Sequence, residues 1–276
     1  MNRRLFLKNF CSTVAAAALC AIPATGFAEE RVRSVNEKDL KDYLHIMANF
    51  DRPQPSDTIL APDRLILLNS TLKRLRRVQR TVGFGNFCVL SFDEAIRVAA
   101  SYPSVGQFTE QEKDFLDETF NFDATVYGFY GEKPVTSLTS AASAKDLIKI
   151  PRTGNFLFRG DPHKKYLQIE KELGSSVYLT SGVRGIMKQF ILFLSKAAAN
   201  QGNLSLASRS LAPPGYSYHA VGDFDVGEKG LGAANFSSSF AETNTCTRLR
   251  ELGYLKLRYP EDNLFGVRFE PWHIKV

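Results

Sequence analysis

Between Ala61 and Arg80, apolar residues recur at Leu65, Leu68, Leu72 and Leu75, the three-or-four spacing of a single helix face. Pro62 and Asp63 stand where a first helical turn accepts a proline and an acid. Ser91-Phe92-Asp93-Glu94 and Thr109-Glu110-Gln111-Glu112 each set a glutamate three residues after a hydroxyl, ahead of an apolar run. Both predict helix starts closed by a capping box. The segment from 60 to about 130 therefore reads as mainly helical, and the small residues from Ser137 to Ala144 predict a loop. After Pro151 the texture changes. Tyr166–Leu173 reads as a helix, Ser176–Thr180 as a short β-rich run, and Gly185–Asn200 as a strongly apolar helix. Ala212-Pro213-Pro214-Gly215 punctuates the chain, and short strands are expected at Leu255–Arg258 and Gly266–Phe269. Short strands among separate helices, without regular β-α-β alternation, predict an α+β fold. It would have a small antiparallel sheet with flanking helices, preceded by a mainly helical N-terminal region.

With 276 residues, 44% of them hydrophobic and 23% charged, the chain has apolar material for a substantial core. The expected divisions are a targeting segment at 1–28, a mainly helical region at 29–150 and a second domain at 151–276. Asn2-Arg3-Arg4-Leu5-Phe6-Leu7-Lys8 resembles the twin-arginine export signal of bacteria. The Ala-rich apolar stretch from Phe10 to Ile22 is short for a membrane span, and Gly26-Phe27-Ala28 offers small residues for cleavage after Ala28. These features imply an exported protein of the periplasm or cell envelope. Its partners would include the twin-arginine machinery, and the membrane only transiently.

The formal charge of +6 includes Arg3, Arg4 and Lys8 of that segment, so the remainder is near neutral at about +3. Lys73-Arg74-Leu75-Arg76-Arg77 with Arg80 is the one dense basic run, and no base-stacking aromatics interleave with it. A solvated helix face fits it better than a nucleic-acid patch. Four cysteines reduce to Cys88 and Cys246 beyond the leader, and neither has zinc-finger spacing. An oxidising compartment permits a bridge between them; two buried thiols fit equally well.

The candidate chemistry lies near the C-terminal end. Of four histidines, His219 falls in Tyr216-Ser217-Tyr218-His219-Ala220-Val221-Gly222-Asp223-Phe224-Asp225 and His273 in Glu270-Pro271-Trp272-His273. Two imidazoles, a choice of aspartates and a nearby glutamate are the minimum set for a hydrolytic zinc site: three ligands, an open position and a base. Glu270 and His273 would face opposite sides of a regular strand, but Pro271 predicts a kink that turns both to one side. His45 and His163 have no such setting.

Ser217-Tyr218-His219-Ala220-Val221-Gly222, a following aspartate, and Glu270-Pro271-Trp272-His273 together resemble the VanY-type D-alanyl-D-alanine carboxypeptidases. That zinc-peptidase group also holds lysostaphin-like enzymes and the hedgehog signalling domain. Ser181-Gly182-Val183-Arg184, with Gln189 beyond it, completes the ordered set, although Val183 stands where the family often has an aromatic. The resemblance spans Ser181 to His273. It implies one zinc held by His219, an aspartate and His273, with Glu270 as the base. It also implies Arg184 as anchor for a terminal carboxylate, and Gln189 and Ser217 in contact with substrate. The family aspartate lies seven residues after the histidine; here Val226 does, with Asp225 at six and Asp223 at four. Asp225 is favoured because an aliphatic residue follows it, as in the family, and Gly222 can absorb the shortening. Asp223 is the alternative.

The implied function is an exported zinc hydrolase of peptidoglycan stem peptides, first of all a D,D-carboxypeptidase. The alternatives are an endopeptidase or D,D-dipeptidase on the same scaffold, or a zinc-containing cell-wall binding module without turnover.

Overall fold

The computed structural model describes residues 37–276; the targeting segment expected at 1–28, with Arg3 and Arg4, lies outside the described residues. The first helices in chain order are α1 (Glu37–Ala48), α2 (Pro62–Val82), α3 (Phe84–Phe87), α4 (Phe92–Ser101) and α5 (Glu110–Asn121). Both expected capping boxes are present. Ser91 and Glu94 close the start of α4, and Thr109 and Glu112 that of α5. Four backbone donors at helix starts thereby gain partners that water would otherwise supply.

The apolar face of α2 packs against α5 and α7 (Ile186–Ala199), burying Leu68, Leu72, Leu75 and Val78 with Phe115, Leu116, Phe190 and Phe193. Burying each such side chain contributes about 1.5–3 kcal/mol. The basic run divides according to this packing. Lys73, Arg76 and Arg80 are exposed, as a solvated face requires. Arg74 instead turns inward to Glu112 at 2.6 Å and donates to the carbonyls of Val105 and Gly106.

A second core lies around the sheet. A hairpin of β1 (Leu147–Lys149) and β2 (Phe156–Phe158) is followed by α6 (Asp161–Leu173) and β3 (Val177–Ser181). After α7 and the short α8 (Leu204–Ser208) come β4 (Phe224–Glu228), α9 (Asn244–Glu251) and β5 (His273–Ile274). The second sheet has order β3-β4-β5, antiparallel throughout. Tyr166 and Ile169 of α6 and Leu249 of α9 pack with Leu179, Phe224, Val226 and Ile274 of its strands. This is the predicted α+β class with a small antiparallel sheet. Among the described residues no helix is long and apolar enough to cross a membrane.

Two expected strands need correction. Residues 255–258 and 266–269 are irregular, and the ladder at the C-terminal end begins only at His273. Their backbone groups find scattered partners instead: the Lys256 amide donates to Tyr254 O and the Arg268 amide to Arg209 O. Gly266 adopts a φ of 74° against the backbone of Gly128, which takes the start of the second run out of extended geometry. The loop expected at 137–144 is irregular chain but for the turn that starts at Ala144. Cys88 and Cys246 are both buried free thiols.

Glu112 holds this helical packing together at one point, accepting from Arg74, Ser70 and the Thr109 amide with 2% of its side chain exposed. Removing one partner of such a pair leaves a buried charge uncompensated. Glu112→Ala is expected to lower unfolding stability by about 3–5 kcal/mol. A denaturant midpoint unchanged from wild type would contradict this.

Candidate metal centre and cleft

The central strand carries the key carboxylate. Asp225 on β4 pairs directly with His273 on β5, and Ser181 of β3 is its partner on the other side, where the register shifts. His219 comes from the turn that precedes β4. Gly222, two residues before the strand, has a φ of 137°, a conformation open to glycine, and so it takes up the shortened spacing between His219 and Asp225.

Three donor atoms converge. His219 Nε2 lies 3.2 Å and His273 Nδ1 3.1 Å from the same Asp225 oxygen, Oδ1, and all three side chains are buried. Among the described residues this is the group of ligand-type side chains that could hold a metal ion, with the donor atoms within 4.8 Å of one another. The outer nitrogens fix which atoms face inward. His219 Nδ1 is 2.9 Å from Gly182 O, a pure acceptor, so that nitrogen carries the proton and Nε2 presents its lone pair. A side chain at Gly182 would collide with Phe156 O, so only glycine brings that carbonyl here. His273 Nε2 is 2.9 Å from Asp223 Oδ2, which leaves Nδ1 to face the centre.

Asp223, the alternative ligand, is thus placed behind His273 rather than beside Asp225. Arg258 and the Val276 amide hold it there. Carboxylate-backed histidines are the usual outer layer of metal sites. Burial pushes the Asp223 carboxyl up, but the hydrogen bonds from His273 and Arg258 outweigh it and hold it at about 2.

The donor set fits a divalent cation such as zinc. Two imidazole lone pairs and a carboxylate oxygen that face one another require positive charge between them. Without a metal, that charge is a proton. Burial pulls the His273 imidazole down, but hydrogen bonds to Asp223 and Asp225 prevail and lift it to about 9. Burial and the nearby Arg184 guanidinium push His219 down. Asp225 resists the upward push of burial, and its contacts with His219 and His273 hold it far below the ordinary range.

Glu270 stands just outside the donor triangle. The His273 amide turns back to the Glu270 carbonyl at 3.3 Å, so the Pro271 kink puts both side chains on the same side, with Glu270 Oε2 4.0 Å from His273 Nδ1. It keeps 14% of its side chain exposed, enough to be reached from the cleft. Burial raises its carboxyl to about 7, with His273 pulling against the rise and Asp225 adding to it.

A cleft of about 390 Å³ opens onto these groups, lined also by Arg184, Ser217, Tyr218 and Tyr259. Arg184 donates through Nη2 to Asp225 Oδ2 at 3.2 Å and to Ser181 at 3.1 Å, while its Nε has no partner. Gln189, expected in contact with substrate, is not in the cleft wall. It sits on α7, donates to Ala212 O, and shares with Arg184 and Ser217 a side recess of only about 10 Å³, large enough for about one water. Its Oε1 is buried there without a partner.

Several groups of the site carry no sequence signal. Cys88 reaches the cleft wall from the helical region, because its carbonyl accepts from the Gly185 amide at the base of α7. Arg258 stacks 3.4 Å over the Tyr218 ring while it holds Asp223.

Residues 162–276 match the sequence model of the VanY family, D-alanyl-D-alanine carboxypeptidase. The match covers less than half of the chain and marks that segment as similar to a VanY-type domain. No curated protein sequence matches the chain. Solved structures similar to it include LdcB, an LD-carboxypeptidase described for peptidoglycan recognition, at 18% identity over 49% of this chain and 69% of that one, with a TM-score of 0.38. A vancomycin-resistance D,D-pentapeptidase of the VanY type, in complex with Zn(II), has 22% identity over 54% and 87%, TM-score 0.40. VanYB in complex with D-alanine-D-alanine has 22% identity over 54% and 84%, TM-score 0.41.

The geometry separates the two aspartates. Asp225→Ala should abolish binding of one zinc per chain, whereas Asp223→Ala should weaken it by about 10–100-fold; the opposite order would move the ligand to Asp223. In metal-free protein His273 keeps its proton below about pH 9, and a cation must displace it. Zinc affinity should therefore climb with pH, by up to about tenfold per unit, and level off above that value. Competition with a chromogenic chelator measures both, and an affinity flat from about pH 6 upward would argue against this proton linkage.

Proposed function

We propose that the VanY-type domain is a zinc-dependent peptidase that removes the C-terminal residue from peptidoglycan stem peptides, with D-alanyl-D-alanine as the preferred end. The observation that carries this reading is Glu270: a carboxyl at about 7, reachable from the cleft, beside the donor triangle yet outside it. A module that only bound metal would have no use for such a group.

His219, Asp225 and His273 would hold the zinc, which when bound supplies Lewis acidity and makes a water acidic. Glu270 takes the proton from the attacking water. The same carboxyl then delivers it to the nitrogen of the leaving residue, and a group that titrates near neutrality can do both. Arg184, which lines the cleft, binds the free terminal carboxylate and is held in place by Asp225 and Ser181. The Ser217 hydroxyl lies in the same cleft and can donate to that carboxylate. Gln189 braces the Ala212 turn and lends polarity to the side recess.

The test pairs chemistry with metal content. Glu270→Gln should keep its zinc and fold and lose about 10²–10⁴ in kcat on a peptide ending in D-alanyl-D-alanine. Wild-type turnover in this variant would remove Glu270 from the reaction, and loss of zinc would make it a ligand. Wild-type cleavage of C-terminally amidated peptides as fast as free ones would replace the carboxypeptidase with an endopeptidase.

Export is part of the same proposal, resting on the sequence around Arg3 and Arg4. Replacing both with Lys should leave an unprocessed precursor inside the cell, and normal processing of that variant would point to another route.

A further inference from the structure

Helix α2 turns a face of one sign to solvent. Lys73, Arg76 and Arg80 follow one another at three- and four-residue steps and are exposed, with Arg77 half-buried beside them. Asp63 in the first turn is the only acid of α2, and α7, which packs along it, has none. Several acids of the neighbouring α5 and α4 are engaged elsewhere. Glu112 is held by Arg74, Glu118 by Arg64, Glu110 by Lys113, and Glu94 by the cap of its own helix. Among the described residues no carboxylate pairs with Lys73, Arg76, Arg77 or Arg80; Arg76 donates to Ser195 of α7 at 3.5 Å, and Arg77 Nε is buried without a partner. Surface cations of a globular domain are usually interspersed with acids, and here they are not.

Two apolar side chains bracket these charges. Ile66 lies two turns before Lys73 on the same spacing and is 72% exposed. Phe84, the first residue of α3 beyond Gly83, stands past the other end of the helix and is 67% exposed. They are the two most exposed large apolar side chains among the described residues. The 21 residues of α2 span about 30 Å, so cations and apolar ends form one elongated surface.

We propose that this face of α2 docks on an anionic lipid bilayer, with the cations among the headgroups and Ile66 and Phe84 entering the boundary with the acyl chains. Charge complementarity selects the anionic headgroup, and each basic side chain at such a surface strengthens binding about fivefold. A dissolved polyanion would satisfy the cations but leave Ile66 and Phe84 in water, whereas a bilayer takes up both kinds of side chain. The inference concerns where the protein sits and is independent of the peptidase reading.

The full chain with Ile66→Trp tests it, on phosphatidylcholine vesicles with about one part in four phosphatidylglycerol and brominated acyl chains. The native Trp272 is buried and supplies a constant background. Emission from the substituted position should move to the blue and be quenched by the bromines. Leu167→Trp, at an exposed position on α6, should stay unquenched. Every chain compared has the same N-terminal apolar stretch, so the difference between positions reports the docking face. Adding Lys73→Gln, Arg76→Gln and Arg80→Gln to Ile66→Trp should raise the lipid concentration needed for quenching about 100-fold. These side chains are exposed, so the fold is retained. Equal quenching at the two positions, equal quenching on pure phosphatidylcholine, or quenching unaffected by the triple charge removal overturns the proposal. Binding of soluble polyphosphate without quenching by the vesicles would overturn it in favour of a phosphate-bearing polymer.

Discussion

One buried carboxylate organises this molecule. Asp225 has 4% of its side chain exposed and touches His219, His273 and Arg184 at 3.1–3.2 Å. Burying a carboxylate is costly unless it is paired, and here both oxygens are occupied: Oδ1 by the two imidazoles, Oδ2 by the guanidinium. The central strand makes this possible, since β4 is flanked on both sides and can meet His273 on one edge and Ser181 on the other. The same carboxylate therefore positions the donor set and the arginine in the cleft wall. The donor group and the guanidinium beside it are coupled through a single side chain.

Around that carboxylate runs an outer layer that reaches into the helical part of the chain. His273 leans on Asp223, Asp223 on Arg258, and Arg258 on the ring of Tyr218, whose hydroxyl donates to Glu132 at 2.7 Å. On the other wall, the Cys88 carbonyl accepts from Gly185 where β3 gives way to α7, close to Arg184. The region before residue 150 is thus more than a neighbour of the segment that carries the donor group. Cys88 supplies part of the cleft lining, and Glu132 one end of the chain of contacts that orients His273.

Periodicity and capping made the helices legible. Leucines at helical spacing in α2, the Ser91 and Thr109 boxes and the apolar run of α7 are local signals, and local signals survive folding. The strands were harder. β4 contains an aspartate and a glycine and is buried along nearly its whole length, so it lacks the alternation that marks a half-exposed strand. Leu255–Arg258 and Gly266–Phe269 have the composition of strands, but their backbone partners lie outside any ladder.

The sequence by itself determined the chemistry on offer: His219, His273, Glu270, Arg184 and a choice of aspartates, in an order that resembles a known family. Tertiary structure decided their roles, because each depends on direction as well as identity. Asp225 and Asp223 are two residues apart, one on β4 and the other just before it, yet only Asp225 meets both imidazoles, while Asp223 backs one of them. Gln189, named by its spacing, turned toward Ala212, and Arg258, which no spacing marks, came to hold Asp223. Such facts arise where segments a hundred or more residues apart are packed together, and no local pattern encodes the angle at which they meet.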